Sequence, residues 1–515
     1  MLEVLRRRNC DSRGQRAMPL TKIVCTLGPA TERPAVIRAM LRAGMTVARL
    51  NFSHSTAEEA ERCATMVRRL AQEEGRYVAL MGDLQGPKIR VGELPAEGLE
   101  LRTGQEVVLA TEPCPDVKGP VIPFPHPEVI EDIQPGDHLF LDDGALELEV
   151  IDRVPSSSRL RCRVLVGGVL TSHKGVNLPG TKLHIPALTD KDRQDALVAL
   201  RLGLDYLALS FVRRAADILE LREHLIAHCP VPLVRHVGED PHKIPGIVAK
   251  IEKPEALDDL EAIVRAADAV MVARGDLGVE LPPERVPLIQ KRVIHLCNRL
   301  GKPVITATQM LQSMIEQPRP TRAEASDVAN AILDGSDAVM LSGETSVGKY
   351  PVEAVRMMAR IAESVERSET FPYNQLLDIP LDKEQSNEAL ITSAISQVTV
   401  ALSRAARVDA IVTSTESGRT ARMVARHRPA VTLVGVTPFV STARRMQLMW
   451  GVVPVVVTPF ETTDEMLHSM IQAACQRGYL SVGANVVLTA GIPLEVHGVT
   501  NMVKLHTVRP EDVAS

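Results

Sequence analysis

The sequence predicts an α/β protein with a (β/α)8 TIM barrel, an inserted β-barrel lid and a C-terminal α/β domain with a parallel sheet. Three observations support this fold. Short apolar runs alternate with helical patterns, as in parallel sheets that are buried on both faces. One of these units is interrupted by a long stretch of short alternating strands. A smaller series of strand–helix units then follows towards the C terminus.

The barrel is predicted from eight apolar runs that are rich in β-branched residues. Capping signals separate the runs: Ser55 with Glu58, and Thr189 with Asp192, are each typical of a helix start. Eight strand–helix units favour a closed barrel, and a doubly wound open sheet is the alternative. The runs are KIVCTL (22–27), TVARLNF (46–52), YVALMGDL (77–84), DYLALSF (205–211), GIVAKIE (246–252), DAVMVARGD (268–276), PVITATQM (303–310) and DAVMLSGE (337–344).

The lid is predicted from the segment after the third run, where no helical pattern appears. Its short strands alternate apolar and polar residues between Pro and Gly, which is typical of a small β barrel. An insertion at this end of a barrel strand can close over the catalytic face and exclude water. The predicted domains are 18–87 with 188–368 for the catalytic barrel, 88–187 for the lid and 386–515 for the C-terminal domain, after a disordered tail over 1–17.

The composition argues against several classes of protein. The chain carries a net charge of −5, so a broad nucleic-acid-binding surface is not expected. No apolar run approaches the ~20 residues that a membrane span needs. The eight cysteines are scattered and form no CxxC pair, which favours a reducing, cytoplasmic environment over a disulfide framework or a zinc site.

A candidate metal site lies at the ends of two neighbouring runs. Lys250 and Glu252 are two residues apart and therefore share one face of a strand, while Asp276 closes the next run. An ammonium beside two carboxylates suits Mg²⁺ and an anionic group in transfer. A surface ion-pair cluster is the alternative. Polar residues end other runs at the same rim, which favours a site: Arg49, Asn51, Ser53, Asp83, Thr308 and Glu344.

Two further segments contain phosphate-loop features. GETSVGK (343–349) is similar to a P-loop, but Tyr350 stands where that motif needs Ser or Thr to bind Mg²⁺. TSTESGRT (413–420) joins a predicted strand to a helix, where amides and hydroxyls can hold a phosphate. An ordinary capped turn is the alternative for this second segment.

A series of longer motifs runs along the chain from Met18 onwards: KIVCTLGPAT, RLNFSH, DLQGPKIR, HKGVNLPG, AKIEKPEAL, VMVARGDLGVE, TATQML and RPTRAEASDVANAILDGSDAVMLSGET. Through these motifs the chain resembles the pyruvate kinase family. The resemblance implies transfer of the phosphoryl group of phosphoenolpyruvate to ADP, which gives pyruvate and ATP in the last step of glycolysis. It also implies Mg²⁺ (or Mn²⁺), a homotetramer, and no nucleic-acid or membrane partner.

The resemblance assigns roles around the metal. Glu252 and Asp276 would bind the cation, and Lys250 would stabilise charge on the transferred phosphoryl group and on the enolate. The amides of Gly275 and Asp276, with the Thr308 hydroxyl, would hold the substrate carboxylate. Thr308, acting through water, is also our candidate for protonating the enolate.

The resemblance also assigns the phosphate and nucleotide contacts. Arg49 would contact the substrate phosphate. Asn51, Arg90 and the lid residue Lys174 would contact the nucleotide, which brings a second Mg²⁺. An alternative function, a Mg²⁺-dependent lyase or aldolase, would not need Arg90 and Lys174. A non-catalytic paralogue would be expected to lack the charged residues at the metal.

One position departs from the commoner family pattern. Many relatives bind K⁺ through residues that match Asn51, Ser53, Asp83 and the carbonyl of Leu84, with Glu where this chain has Lys88. The ammonium of Lys88 could replace the monovalent cation. We therefore expect an enzyme that does not require K⁺.

The C-terminal domain resembles the allosteric domain of the family. The loop 491–500 lacks the Trp and Arg that some relatives regulated by fructose 1,6-bisphosphate carry there. A different sugar phosphate or AMP is therefore the expected effector. Its phosphate loop would comprise Thr413, Ser414, Thr415, Ser417, Gly418 and Thr420.

Overall fold

The computed structural model describes residues 18–513, except 118, 155–157, 182, 232–238, 375–385 and 495–497. The tail over 1–17, which the sequence predicts to be disordered, lies outside the described residues. Among the helices that are described, none is both long and apolar enough to cross a membrane.

The first domain is a closed barrel of eight parallel strands. Each strand pairs with its neighbours in chain order, and the first strand closes the barrel by pairing with the eighth. The alternative of a doubly wound open sheet is therefore wrong. The strands are Lys22–Thr26, Val47–Asn51, Ala79–Asp83, Tyr206–Leu209, Gly246–Ile251, Ala269–Ala273, Val304–Ala307 and Ala338–Leu341.

A ring of helices surrounds the barrel and buries the outer faces of its strands. The second helix begins one residue later than the sequence predicts, because Thr56 rather than Ser55 accepts the hydrogen bond from the Glu59 amide. The Glu59 carboxylate accepts a hydrogen bond from the Thr56 amide at 2.9 Å, which completes the capping box. The outer helices are Pro34–Ala43, Ala57–Glu73, Asp190–Arg201, Ala215–Ala227, Leu260–Ala266, Val286–Leu300, Arg322–Leu333 and Pro351–Glu366.

Two barrel strands are shorter than the apolar runs that predict them. The sixth strand ends at Ala273, and a helix over Arg274–Glu280 follows at once. The eighth ends at Leu341 and is followed by the short helix Gly343–Ser346. Residues such as Asp276 therefore lie in the first turn of a helix, whose amides point towards the mouth of the barrel.

The lid is a curled, six-stranded sheet with an additional two-stranded ribbon. Its apolar side chains form a core that is separate from that of the barrel. Asn177 connects the lid to the barrel, since its amide donates to Glu280 at 2.8 Å. The lid elements are Leu99–Leu101, Glu106–Ala110, Val121–Pro123, Pro127–Asp132 (a helix), His138–Leu141, Leu146–Arg153, Arg159–Val166, Gly168–Leu170 and Val176–Asn177.

The C-terminal domain is a five-stranded sheet with helices on both faces. Four strands are parallel, as the sequence predicts: Ala410–Ser414, Thr432–Thr437, Val452–Val456 and Asn485–Ala490. A fifth, Met502–Thr507, adds an antiparallel edge. Sequence analysis missed this strand because its residues are partly exposed and form no continuous apolar run. The helices are Asn387–Ala405, Arg419–Ala425, Val440–Arg445, Thr463–Gln476 and Pro510–Val513.

Candidate active site

A cavity of about 360 Å³ opens at the C-terminal ends of the barrel strands. Five of the residues singled out from the sequence line it together. Further residues in its wall come from the first, second and eighth units: Thr26, His54, Met340, Ser342 and Ser346, the last of which belongs to the P-loop-like segment 343–349. The predicted residues in the wall are Arg49, Asn51, Lys250, Asp276 and Thr308.

Lys250 lies at the centre of a buried charge cluster. Its ammonium is 2.7 Å from a Glu252 oxygen and 3.4 Å from an Asp83 oxygen, and it donates to the Ser210 hydroxyl at 2.9 Å. Burial alone would lower the pKa of Lys250. The carboxylates of Asp83, Glu252 and Asp276 outweigh burial and hold its pKa well above the usual value. The ammonium is therefore charged throughout the physiological range.

Both oxygens of Glu252 are engaged from within the chain. One accepts from Lys250, and the other accepts the amide of Phe211 at 2.7 Å. Phe211 has a positive φ of 55°. Burial, with the charge of Asp276 adding to it, raises the pKa of Glu252 despite Lys250. A further positive charge at this carboxylate is therefore favourable.

Arg49 is oriented by its neighbours on the first and third strands. Its Nε is 2.6 Å from Asp83, and its Nη1 donates to the Thr26 hydroxyl at 2.9 Å. Burial opposes ionisation of Asp83, but Arg49 and Lys250 together lower its pKa. Asp83 thus keeps two cations at fixed positions beneath the cavity.

Asp276 differs from the other acids of the cluster. Its carboxylate makes no hydrogen bond or ion pair with any described residue, although it lines the cavity. The preceding amide, of Gly275, donates to the Thr308 hydroxyl at 2.7 Å, and Thr308 has a φ of 67°. The sixth and seventh strands therefore deliver a free carboxylate and a hydroxyl to the same wall.

The donor set fits a hard divalent cation. In the part of the chain that the structure describes, no three His, Cys, Asp or Glu side chains form a complete metal cage. Glu252 and Asp276, which follow the neighbouring fifth and sixth strands, interact electrostatically at the mouth of the barrel. Two carboxylates that leave positions for water and substrate oxygens are typical of Mg²⁺ in phosphoryl-transfer enzymes.

Comparisons with known proteins match this fold and its order of domains. The family profiles “Pyruvate kinase, barrel domain” and “Pyruvate kinase, alpha/beta domain” match residues 18–355 and 393–506. A pyruvate kinase of Geobacillus stearothermophilus is 46% identical over 490 residues, which cover 95% of this chain and 80% of that protein. The chain belongs to the pyruvate kinase family.

Other pyruvate kinases give the same result. One from Staphylococcus haemolyticus is 43% identical, and the alignment covers 96% of this chain and 81% of that protein. The crystal structure of a pyruvate kinase from Cryptosporidium parvum matches with a TM-score of 0.84 at 32% identity, covering 98% of this chain and 97% of that one. As a member of the pyruvate kinase family, the chain is a phosphotransferase.

Three cations that the family resemblance assigns to the nucleotide or to the K⁺ pocket are not in the wall of the cavity. Arg90 donates to the His173 carbonyl at 2.6 Å, and Lys174 is 2.8 Å from Asp142. Both lie at the base of the lid, where Arg90 forms a β-bridge with Gly175. Lys88 lines a separate crevice between lid and barrel, which Asp276 also lines.

The members of the expected K⁺ pocket have partners within the chain. Asp83 is paired with Arg49 and Lys250, and the Leu84 carbonyl accepts from the Ser210 hydroxyl at 2.7 Å. The Asn51 side chain accepts the Ser53 amide at 3.1 Å. Ser53 lies beyond the end of its strand and outside the cavity wall. No hydrogen bond or ion pair joins the side chain of Lys88 to any of the described residues.

Sequence analysis missed two side chains that orient the charged cluster. Ser210 joins Lys250 to the Leu84 carbonyl, and Thr26 holds Arg49. Each is a polar residue near the end of an otherwise apolar run, in LALSF and KIVCTL. The sequence therefore contains the signal, but an isolated Ser or Thr at a strand end is also typical of a turn.

The predicted effector loop lines a second cavity, of about 130 Å³, in the C-terminal domain. Thr415 accepts the Gly418 amide at 3.0 Å, and Gly418 has a φ of 84° at the start of the following helix. The hydroxyls of Thr420 and Thr500 are 2.8 Å apart, which joins this loop to the late loop. Ser414 and Ser417 also line the cavity, whereas Thr413 is fully buried and bonds within the sheet.

Proposed function

We propose that this chain is a Mg²⁺-dependent pyruvate kinase, which transfers the phosphoryl group of phosphoenolpyruvate to ADP and yields pyruvate and ATP. The observation that carries the proposal is the cluster around Lys250. A charged ammonium, 2.7 Å from Glu252, shares one cavity with the free carboxylate of Asp276 and with Arg49. This arrangement suits the transfer of an anionic group from a donor to an acceptor, because it supplies positive charge and metal-binding oxygens at fixed positions.

Each side chain then has a defined task. Glu252 and Asp276 hold the cation, which when bound neutralises charge on the substrate oxygens. Arg49, fixed by Asp83 and Thr26, binds the substrate phosphate. Lys250 stabilises charge on the phosphoryl group during transfer and on the enolate that remains.

The substrate carboxylate lies against the helix that begins at Arg274. The Gly275 and Asp276 amides and the Thr308 hydroxyl bind it. The Gly275 amide has a neutral partner in Thr308, so an incoming carboxylate can replace that bond with a charge-assisted one. The same hydroxyl, through a water molecule, delivers the proton to the enolate.

The nucleotide binds between barrel and lid. Asn51 contacts it from the barrel wall, and Arg90 and Lys174 contact it from the base of the lid, together with a second Mg²⁺. Closure of the lid is needed to bring these cations over the cavity. Exchange of the Lys174–Asp142 ion pair, which is partly exposed, for a nucleotide phosphate is a small cost.

A coupled assay of pyruvate formation tests the proposal. Activity should require phosphoenolpyruvate, ADP and Mg²⁺ together, and Glu252→Gln should lower kcat by about 100-fold or more, because the cation that neutralises the transition-state charge loses a carboxylate ligand. Glu316→Gln is the matched control, since Glu316 is an exposed acid that pairs with Lys349. Absence of pyruvate formation when phosphoenolpyruvate, ADP and Mg²⁺ are all present would instead favour the lyase or aldolase alternative.

We further propose that the enzyme does not require K⁺. Lys88 supports this, because its positive charge stands where many relatives carry a carboxylate and acts on His54, just beyond the second strand. Burial lowers the pKa of His54, and the charges of Lys88, Arg90 and Arg49 lower it further. Activity in tetramethylammonium buffer should therefore equal that in K⁺ buffer. A large drop in kcat without K⁺ would rule the proposal out.

Regulation, assembly and location complete the proposal. A sugar phosphate or AMP binds the loop over 413–420 and shifts the saturation curve for phosphoenolpyruvate. The protein is a cytoplasmic homotetramer, and the free thiols of the seven described cysteines agree with a reducing compartment. If these activators leave the saturation curve unchanged, the loop over 413–420 is an ordinary turn and not an effector site. Light scattering of the purified enzyme measures the oligomeric state.

A further inference from the structure

Glu280 connects the lid to the helix that carries Asp276. It is the last residue of that helix, Arg274–Glu280, and is only 4% exposed. Its Oε1 accepts from the side-chain amide of Asn177 in the lid at 2.8 Å and from the ammonium of Lys253 at 2.6 Å. We call Asn177, Lys253 and Glu280 the Glu280 cluster. Two donors from separate elements thus converge on one oxygen atom.

The Glu280 cluster is linked through the backbone to both of the proposed metal ligands. Lys253 directly follows Glu252, and Glu280 lies four residues after Asp276. Residues that are four apart in a helix lie on the same face. The ion pair between Lys253 and Glu280 therefore joins the segment that carries one ligand to the helix that carries the other.

A second contact of Lys253 leads to the same metal ligand. Its ammonium lies over the ring of Phe211, 5.6 Å from the centroid. The amide of Phe211 donates to Glu252 at 2.7 Å. Lys253 therefore contacts both the residue that holds Glu252 and the residue that ends the helix of Asp276.

Burial limits what the ion pair adds to the stability of the fold. The side chains of Lys253 and Glu280 are 13% and 2% exposed. The cost of removing two charges from water offsets much of their attraction, so an apolar pair of similar size would stabilise the protein about as well. What the charged pair adds is a short, directed contact, which an apolar pair does not provide.

We propose that Glu280 is a positioning residue, which holds Glu252 and Asp276 at the spacing that a divalent cation needs and fixes the lid beside them. It acts on the spacing through Lys253 and on the lid through Asn177. The inference rests on the cation site of the proposed function. It goes beyond that function, because neither Glu280 nor Lys253 is a metal ligand or a substrate-binding residue there.

Binding of Mn²⁺ to the full-length chain without substrates, measured from the electron paramagnetic resonance signal of free Mn²⁺, tests the spacing. Lys253→Met should weaken binding about tenfold, the usual effect of losing groups that orient metal ligands. Loss of a positive charge would by itself strengthen cation binding, so the sign of the change separates positioning from electrostatics. Lys253→Arg keeps the ion pair and should bind Mn²⁺ within about twofold of the wild type. Lys349→Met, at an exposed lysine, is the matched control.

Asn177→Ala tests the contact with the lid. It removes one hydrogen bond to Glu280 but leaves the ion pair with Lys253, so the affinity for Mn²⁺ should not change. The KM for ADP should rise about fivefold, the effect of one hydrogen bond. The KM for phosphoenolpyruvate should change less, because the proposed nucleotide contacts Arg90 and Lys174 lie at the base of the lid.

Thermal unfolding shows whether Lys253→Met is folded at the assay temperature. Should it unfold below that temperature, Glu280→Asp replaces it, because this change keeps the charge but shortens the side chain. Glu280→Asp should also weaken Mn²⁺ binding, and Glu284→Asp, at an exposed acid four residues further on, should not.

Three results would overturn the role of Glu280. They are Mn²⁺ binding by Lys253→Met that is as tight as in the wild type or tighter, binding by Lys253→Arg that is as weak as in Lys253→Met, and an unchanged KM for ADP in Asn177→Ala. Each of them leaves the proposed function intact. A wild type that binds no Mn²⁺ would instead remove the proposed cation site and this inference together.

Discussion

At the scale of single residues, burial and pairing give neighbouring carboxylates different properties. Asp83 is paired with two cations and its pKa is lowered, whereas the pKa of Glu252 is raised by burial next to Asp276. The Asp276 carboxylate has no hydrogen-bond or ion-pair partner among the residues that the structure describes. A cluster of this kind holds its cations in place and still leaves a carboxylate for an incoming metal.

Removal of the central ammonium is therefore the most informative single change. We expect Lys250→Gln to lower kcat by about 10² to 10³, the usual effect of losing one preorganised charge in a transition state. Thermal stability should fall as well, because Glu252 loses its buried partner at 2.7 Å.

Steady-state kinetics and thermal unfolding measure the two effects of Lys250→Gln. Lys349→Gln is the matched control, since Lys349 is an exposed lysine that pairs with Glu316. A Lys250→Gln enzyme with nearly full kcat would remove Lys250 from the catalytic cluster and leave it only a structural role.

At the scale of secondary-structure elements, short turns and helices at the strand ends determine where polar groups point. The turn Gln312–Ile315 follows the seventh strand and is fixed to the next helix by Glu324. That carboxylate accepts the Ser313 amide at 2.7 Å and caps the helix through Thr321. The segment that carries Thr308 is thus fixed at one end by the seventh strand and at the other by the contact of this turn with the helix Arg322–Leu333.

Loss of this cap should loosen the first turn of the helix Arg322–Leu333. Thr321→Ala removes the hydroxyl that accepts the Glu324 amide and should cost about 1 kcal/mol. Amide hydrogen exchange in that turn should then become about five times faster. Thr321→Ser keeps the hydroxyl and is the matched control. Equal exchange rates in both variants would contradict the importance of the cap.

At the scale of the whole molecule, a buried network joins the C-terminal domain to the base of the barrel. Arg428, only 2% exposed, is 2.9 Å from Asp337 and donates to Asn298 at 3.2 Å. Its guanidinium also lies over the Trp450 ring, 5.0 Å from the centroid. A second contact, Arg444 with Asp205 at 2.8 Å, is more exposed.

These two contacts between the domains should differ strongly in strength. Arg428→Ala removes the cation that is paired with the buried Asp337, and we expect a loss of about 3–5 kcal/mol. Arg444→Ala should cost about 1 kcal/mol or less, because water screens that pair. Scanning calorimetry should show a separate, earlier transition of the C-terminal domain in Arg428→Ala alone. Similar transitions in both variants would contradict the role of the buried network.

The sequence by itself determined the order of the domains and five of the residues that line the cavity. Alternating apolar runs are local patterns, so the eight strands, and the shared face of Lys250 and Glu252, follow from neighbouring residues alone. The resemblance of the motifs to the pyruvate kinase family then predicted phosphoryl transfer and the role of each residue in it.

Only the tertiary structure decided which of those groups have partners. Ser210 and the Phe211 amide contact the cluster from the end of a strand that is distant in sequence. Asp276 lies in a helix rather than at a strand end, because the sixth strand is shorter than the apolar run predicts. The positions of Lys88, Arg90 and Lys174 depend on how the lid packs on the barrel. Such contacts are non-local, and no pattern of adjacent residues encodes them.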